Sequence, residues 1–190
     1  MNPQSRLPKV VFLDRDGVIN RDSPDYIKSW SEFEFLPGSL EAIRDLTRSG
    51  FSPIVVTNQS AVSRRLLSRA GLAYIHRMMR AAIEAHGGRI LDIFFCPHLP
   101  SDGCRCRKPA PGMLYQAQKK HRIDLAAAVM VGDRVKDMEC ARNAGCGRAI
   151  LVQTGNGHQA RAELAQSNRL PDYVAENLYA AAEWIIKSGF

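Results

Sequence analysis

The sequence predicts an α/β fold in which a mostly parallel sheet is covered by helices on both faces. Short apolar runs alternate along the chain with segments whose apolar residues recur at helical spacing. This alternation is typical of β-α units, in which helices cover a parallel sheet. Polar residues follow several of the apolar runs, and in open sheets of this kind ligands bind at the carboxyl ends of the strands.

The strands are predicted from short apolar runs bounded by polar or turn-forming residues. The first run, KVVFLD, is apolar almost to its final acid, which suits a buried strand. A shorter run near the end of the chain, YVAE, predicts a short strand. The predicted strands are residues 9–14, 51–57, 90–95, 127–133, 148–153 and 173–176.

The helices are predicted from apolar spacing and from residues that suit helix ends. Leu40, Ile43 and Leu46 lie at helical spacing in the first helix, and Gly50 suits its end. Ser68 is a good N-cap for the second helix. The predicted helices are residues 38–50, 69–86, 111–121, 135–145, 158–166 and 178–187.

The bulk composition fits a single domain over residues 1–190. The chain is 45% hydrophobic and 24% charged, which is ordinary for a globular protein. It lacks an apolar run of the roughly 18 residues that a membrane helix needs, and its first residues lack the apolar region of a signal peptide. We expect a cytoplasmic protein without a membrane partner, and a monomer.

Acidic and hydroxyl side chains follow the predicted strands. Asp14 and Asp16 follow the first strand, Thr57 the second and Asp133 the fourth. Converging carboxylates repel one another unless a cation binds them, and Mg²⁺ prefers one or two carboxylates together with waters and phosphate oxygens. With Lys108 as a further positive charge, this set suits phosphoryl transfer to a carboxylate nucleophile.

A second cluster, in CPHLPSDGCRCRKP, combines three cysteines with one histidine. Cys96, His98, Cys104 and Cys106 match the ligand set of a closed, tetrahedral structural zinc site. The odd count of five cysteines argues against a disulfide framework. Loop 96–106 is too short for a core of its own, so a metal ion would hold it.

The formal net charge of +7 favours anionic partners, either nucleic acid or phosphorylated small molecules. A zinc-containing nucleic-acid-binding protein is therefore a distant alternative. The sequence has no recognition-helix pattern after the zinc ligands and no aromatic stacking motif. We expect a phosphorylated small-molecule substrate and no nucleic-acid partner.

Four segments, DRDGVIN, VVTNQS, RKP and GDRVKD, occur in this order at the predicted strand ends. Together they resemble the four motifs of the haloacid dehalogenase (HAD) superfamily. The resemblance implies a HAD-like, Rossmannoid three-layer α/β/α fold and a phosphoric monoester hydrolase. It also implies that Asp14 is the nucleophile and forms an aspartyl-phosphate. Asp16 would then act as general acid and base, and Thr57 and Lys108 would neutralise the phosphoryl oxygens.

The same resemblance implies two metal sites. Mg²⁺ would be held by Asp14, Asp133 and the backbone carbonyl of Asp16, while Zn²⁺ in the 96–106 loop would be structural. Asp137 would be a partner of Lys108 or of the waters on the magnesium.

The zinc loop and the absence of a large cap domain resemble two groups within the superfamily. One is the D-glycero-D-manno-heptose 1,7-bisphosphate 7-phosphatase family, and the other is the histidinol-phosphate phosphatases of histidine biosynthesis. The segments KPAPGM and LVQTGNG resemble the heptose enzymes. This resemblance implies hydrolysis of the 7-phosphate in ADP- or GDP-heptose biosynthesis for lipopolysaccharide or surface glycans. Histidinol-phosphate phosphatase is the alternative.

Substrate contacts are also implied by the resemblance. Arg107, and Arg64 or Arg65, would suit a second phosphate, because arginine binds phosphate bidentately. Ala61 and Arg65 stand where the family often has glycine, so the loop that faces the substrate is expected to be stiffer and more basic. The implied substrate-binding residues are Arg15, Asp22, Asp25, Asn58, Gln59, Ser60, Arg107 and Arg134.

Overall fold

A six-stranded parallel sheet forms the centre of the computed structural model, which describes residues 7–167 and 169–189. The strand order is β3-β2-β1-β4-β5-β6, and every neighbouring pair is parallel. The predicted fold class is therefore confirmed. The strands are β1 (Lys9–Leu13), β2 (Phe51–Asn58), β3 (Asp92–Cys96), β4 (Val129–Gly132), β5 (Arg148–Val152) and β6 (Tyr173–Ala175).

Helices connect the strands and follow the last one, as predicted. The Ser68 side chain caps α2 by accepting a hydrogen bond from Gly71 N. Gly145 adopts a left-handed conformation at the end of α4, which a glycine favours. The helices are α1 (Ser39–Arg48), α2 (Arg69–Ala85), α3 (Gly112–His121), α4 (Val135–Ala144), α5 (Gly157–Gln166) and α6 (Leu178–Ser188).

Some element boundaries differ from the prediction. β4 begins at Val129, because Leu125–Ala127 forms a 3₁₀ turn in which the Asp124 side chain accepts a hydrogen bond from Ala126 N. Asn58 and Cys96, which were expected just beyond their strands, pair with each other as the last residues of β2 and β3. The apolar runs therefore locate the strands but not their last paired residue.

The sheet separates two hydrophobic cores. Along β1, Val11 and Leu13 belong to the core that includes α1, α2 and α6, whereas Val10 and Phe12 belong to the core with α3, α4 and α5. Successive strand residues point to opposite faces, so this division makes a three-layer α/β/α structure. The assignment of residues 1–190 to a single domain stays a prediction.

The strand order creates a crevice at the carboxyl end of β1. From β1 the chain builds the sheet outward to β2 and β3 on one side and to β4, β5 and β6 on the other. Ligands bind at such a switch point in open α/β sheets. Within the described residues, no helix combines the length and apolar character needed to cross a membrane.

Candidate active site

A cavity of about 240 Å³ opens at this crevice. Its walls come from the ends of β1 and β2, the loop after β1, the segment after the cysteine-histidine cluster, and the start of α4. The sequence-predicted site residues that line it are Asp14, Asp16, Asp22, Thr57, Asn58, Gln59, Ser60, Arg107 and Arg134.

Lys108 lies buried behind the cavity and bridges two carboxylates. Its Nζ is 2.9 Å from Asp14 Oδ2 and 2.8 Å from Asp137 Oδ1, and it donates a 2.9 Å hydrogen bond to Val56 O of β2. Burial alone would lower the pKa of Lys108, but Asp137 and Asp14 raise it above its ordinary value. A protonated lysine is therefore held against Asp14, and Asp137 is its second partner, as the resemblance implied.

Three acids converge beside this lysine. Ligand oxygens of Asp14, Asp133 and Asp137 all lie within 4.8 Å of one another. Burial raises the pKa of Asp14 to about 6, although Lys108 opposes the shift. Burial, and then Asp137 and Asp14, raise the pKa of Asp133 to about 7. Burial and mutual repulsion therefore destabilise the charged forms of these acids, and a bound cation would offset both effects.

The oxygens of Asp133 differ in their partners. Oδ2 accepts a 2.8 Å hydrogen bond from Asn156 N, whereas Oδ1 is buried without a hydrogen-bond partner in the described part of the chain. A buried carboxylate oxygen without a donor is costly. It suits a hard cation that takes oxygen ligands, so Asp14 and Asp133 fit the predicted magnesium site.

Two glycines make room for Asp133. Gly17 has φ +83°, and a Cβ on it would lie 2.3 Å from Asp133 Oδ2. A Cβ on Gly155 would lie 2.3 Å from the same oxygen. The glycine of DRDG is therefore required by close approach as well as by its left-handed backbone.

Asp16 is fixed by three neighbours at the wall of the cavity. Its carboxylate accepts hydrogen bonds from Arg15, from Asn20 Nδ2 at 2.9 Å and from Gln59 Nε2 at 2.8 Å. Gln59 Nε2 also donates to Thr57 Oγ1 at 2.9 Å. Burial alone would raise the pKa of Asp16, but Arg15 and these donors lower it.

The four predicted zinc ligands also come together. The distances are 3.5 Å from Cys96 Sγ to His98 Nδ1, 3.6 Å from Cys96 Sγ to Cys104 Sγ, and 3.2 Å from His98 Nδ1 to Cys106 Sγ. Tetrahedral coordination with Zn–S bonds of about 2.3 Å places ligand atoms roughly 3.5–3.8 Å apart. The donor set and its spacing fit a tetrahedral zinc site.

Hydrogen bonds connect the cluster to the catalytic edge of the sheet. Arg107 Nη1 donates to His98 O at 3.0 Å. Asn58 Nδ2 donates to Lys108 O at 3.2 Å, and Lys108 N donates to Asn58 Oδ1 at 3.1 Å. The backbone of the lysine is thus fixed to β2 on one side and follows the cysteine-histidine loop on the other.

Some implied substrate contacts do not reach the cavity. Arg15 is 0% exposed, its side chain binds Asp16 and it does not line the cavity, so its substrate contact stays a prediction. Asp25 is exposed and does not line the cavity, although its neighbours Pro24 and Tyr26 do. Arg64 also lies outside the lining, with its guanidinium 6.0 Å from the ring centre of Tyr26.

The sequence analysis missed two features of the site, the positions of Lys136 and Asn156. Lys136, in the first turn of α4, lines the cavity, and burial lowers its pKa. Asn156 contacts both Asp133 and Asp22. Tyr26, for which a wall of the pocket and packing of the loop were both expected from the sequence, lines the cavity with a left-handed φ of 65°. Lys136 belongs to the segment GDRVKD, and its place in that segment is the local signal that could have indicated it.

Comparisons with known proteins agree with this geometry. A family model described as HAD-hydrolase-like matches residues 105–181. The D-glycero-beta-D-manno-heptose-1,7-bisphosphate 7-phosphatase of Bordetella bronchiseptica is 45% identical over 94% of this chain and 98% of its own length. The protein of that name from Pseudomonas aeruginosa is 45% identical over 78% of this chain and 83% of its own length.

A solved structure is similar over nearly the whole chain. It is a D,D-heptose 1,7-bisphosphate phosphatase from B. bronchiseptica in complex with magnesium and phosphate. It has a TM-score of 0.88 and 44% identity, and the match covers 95% of this chain and 99% of that one.

Proposed function

We propose a magnesium-dependent sugar-bisphosphate phosphatase activity from one premise: the chain belongs to the D-glycero-D-manno-heptose-1,7-bisphosphate 7-phosphatase family. The substrate is D-glycero-D-manno-heptose 1,7-bisphosphate, and the 7-phosphate is removed. We assign the β anomer because both relatives described above carry it in their names. The observation that carries the proposal is the buried contact of Lys108 with Asp14. It lies beside Asp133 Oδ1, a buried oxygen without a hydrogen-bond partner in the described residues.

Asp14 is the nucleophile in the proposed mechanism. Its carboxylate oxygen attacks phosphorus and the bond from phosphorus to the sugar oxygen breaks, which leaves an aspartyl-phosphate. Asp16 is protonated in the substrate complex, where the anionic phosphate raises the pKa that Arg15 lowers in the free protein, and it gives this proton to the leaving sugar oxygen. It then takes a proton from the water that attacks phosphorus, the bond from phosphorus to the Asp14 oxygen breaks, and inorganic phosphate leaves with Asp14 regenerated.

Neighbouring groups balance charge during both steps. Lys108 Nζ, 2.9 Å from Asp14 Oδ2, and the hydroxyl of Thr57 neutralise phosphoryl oxygens. Asp14, Asp133 and the carbonyl of Asp16 would hold Mg²⁺, which supplies further positive charge at the phosphoryl group. The cysteine-histidine cluster would hold a structural Zn²⁺ that fixes Arg107 and Lys108.

The remaining lining residues select the substrate. Arg107 and Arg134 offer guanidinium groups to the second phosphate, and Asp22, 2.6 Å from Arg134 Nη2, orients that arginine. Asn58, Gln59 and Ser60 meet the substrate at the end of β2. We further propose that the protein acts as a cytoplasmic monomer without a nucleic-acid partner.

Phosphate release by the purified protein with Mg²⁺ tests the proposal. The panel contains both anomers of heptose 1,7-bisphosphate, histidinol phosphate, fructose 1,6-bisphosphate and a 3′-phosphorylated oligonucleotide. We expect a strong preference for the β heptose anomer. A preference for histidinol phosphate would overturn the substrate but leave the mechanism, and no release from any compound would overturn the phosphatase assignment.

A further inference from the structure

The Arg15 side chain is buried and pairs with Asp16. It is 0% exposed, and its fork contacts both oxygens of the neighbouring Asp16. Nη2 is 2.8 Å from Oδ1 and 3.0 Å from Oδ2, and Nε is 3.1 Å from Oδ1. The turn after β1 permits this contact between adjacent residues, because Arg15 O accepts hydrogen bonds from Ile19 N and Asn20 N.

A second layer of residues immobilises the guanidinium. Nη1 lies 3.4 Å from His76 Nε2 on α2, and the guanidinium carbon lies 5.9 Å from the ring centre of Phe33. Burial, and then the charge of Arg15, lower the pKa of His76 to about 3. The imidazole is therefore neutral, and its Nε2 can accept a hydrogen bond from Nη1 when Nδ1 carries the proton.

The contact of Arg15 with Asp16 is better explained by the geometry that it fixes than by the stability that it adds. A buried ion pair adds little net stability, because desolvation of both ions offsets their attraction. Its fork geometry, however, defines the plane and the direction of the carboxylate. Another contact between an adjacent Arg and Asp, Arg44 with Asp45, lies at the surface of α1 and does not line the active-site cavity.

We propose that Arg15 and His76 are positioning residues that hold the Asp16 carboxylate toward the leaving oxygen of the substrate. The inference rests on the proposed function, in which Asp16 is the general acid. The chain of contacts runs from α2 through His76 and Arg15 to Asp16, which lines the cavity. Neither positioning residue touches substrate.

The test compares two classes of leaving group. A sugar alcohol leaves poorly without a proton, whereas an acidic phenol such as p-nitrophenol leaves readily as the anion. Misplacing Asp16 should therefore slow formation of the aspartyl-phosphate only with the sugar ester. The rate is measured as leaving-group release in a single turnover, with enzyme and Mg²⁺ in excess over heptose 1,7-bisphosphate or p-nitrophenyl phosphate.

Arg15→Lys keeps the charge but loses the fork, and His76→Phe removes the acceptor. We expect each to slow release from the sugar ester by about 10- to 100-fold and release from the aryl ester by less than about 3-fold. His76→Gln, which restores an acceptor, should recover most of the rate. Arg44→Lys, at a half-buried position on α1, and His86→Phe, at an exposed position after α2, are the matched controls and should leave both rates unchanged.

Equal slowing of both esters by Arg15→Lys and His76→Phe, or no slowing of either, would overturn the positioning role. If Arg15→Lys does not fold, the comparison of His76→Phe with His76→Gln still tests the proposal, because only the glutamine variant offers Arg15 a hydrogen-bond acceptor. Wild-type protein that releases neither leaving group would instead overturn the proposed function, and the inference with it.

Discussion

Replacing Lys108 with methionine should destabilise the metal-free protein strongly. The ammonium group is 0% exposed and lies within 3 Å of oxygens of Asp14 and Asp137, which are 8% and 0% exposed. Methionine keeps most of the volume, so the main change is the loss of a buried positive charge among carboxylates. Removing one partner of a buried ion pair costs about 3–5 kcal/mol. For a chain of this size that corresponds to a fall in Tm of roughly 6–20 °C.

Thermal unfolding followed by circular dichroism measures this effect, once with EDTA and once with saturating Mg²⁺. Mg²⁺ would restore positive charge beside Asp14, so it should raise the Tm of Lys108→Met by more than it raises the Tm of the wild type. The matched control is Lys187→Met, since that lysine is 74% exposed and its salt bridge within residues 7–167 and 169–189 is with Glu183. We expect the control to stay within about 0.5 kcal/mol of the wild type.

The reasoning would be refuted by either of two results. A Lys108→Met protein within about 1 kcal/mol of the wild type in EDTA would mean that the carboxylates do not need the lysine's charge. A Mg²⁺-induced rise in Tm that is no larger than in the wild type would mean that the metal and the lysine do not act on the same acids.

Three further substitutions test other parts of the site. Asp14→Asn should abolish turnover and keep the fold, as judged by phosphate release and circular dichroism; wild-type turnover would remove Asp14 as the nucleophile. Cys104→Ser should lose zinc and thermal stability, and unchanged zinc content by elemental analysis would contradict the ligand assignment. Gly17→Ala should lower Mg²⁺-dependent activity by about 100-fold, because its Cβ displaces the metal-side acid. Gly50→Ala, with the same φ of +83° but no neighbour within 4 Å, should cost only about 1–2 kcal/mol of stability, measured by urea unfolding, and no activity. Equal losses of activity in the two glycine variants would show that backbone strain, not the contact, is responsible.

The strand ends and the zinc group can be predicted because their signals are local. An apolar run followed by Asp14 or Asp133 marks both the strand and the polar residue at its end. The ligands Cys96, Cys104 and Cys106 belong to a rare residue type, so their clustering is informative without any knowledge of the fold. The structure brings each of these sets together as expected.

Side-chain direction could not be predicted, because it depends on contacts between distant segments. Arg15 directly follows Asp14, yet the turn after β1 and the packing of His76 from α2 direct its side chain into the interior. Lys136 resembles any polar residue of an exposed helix in the sequence. It lines the cavity because α4 begins at the carboxyl edge of the sheet.

The packing of β1 between two cores restricts how the gene can change in length. Inserting or deleting one residue within the strand would exchange Val10 and Phe12 with Val11 and Leu13 across the sheet, since side chains alternate along it. The same change would turn Asp14 away from the cavity. Residues 99–103, between two zinc ligands and outside the sheet, have no such constraint. Length changes are therefore tolerated in the connections, while the strand that ends before Asp14 keeps its length.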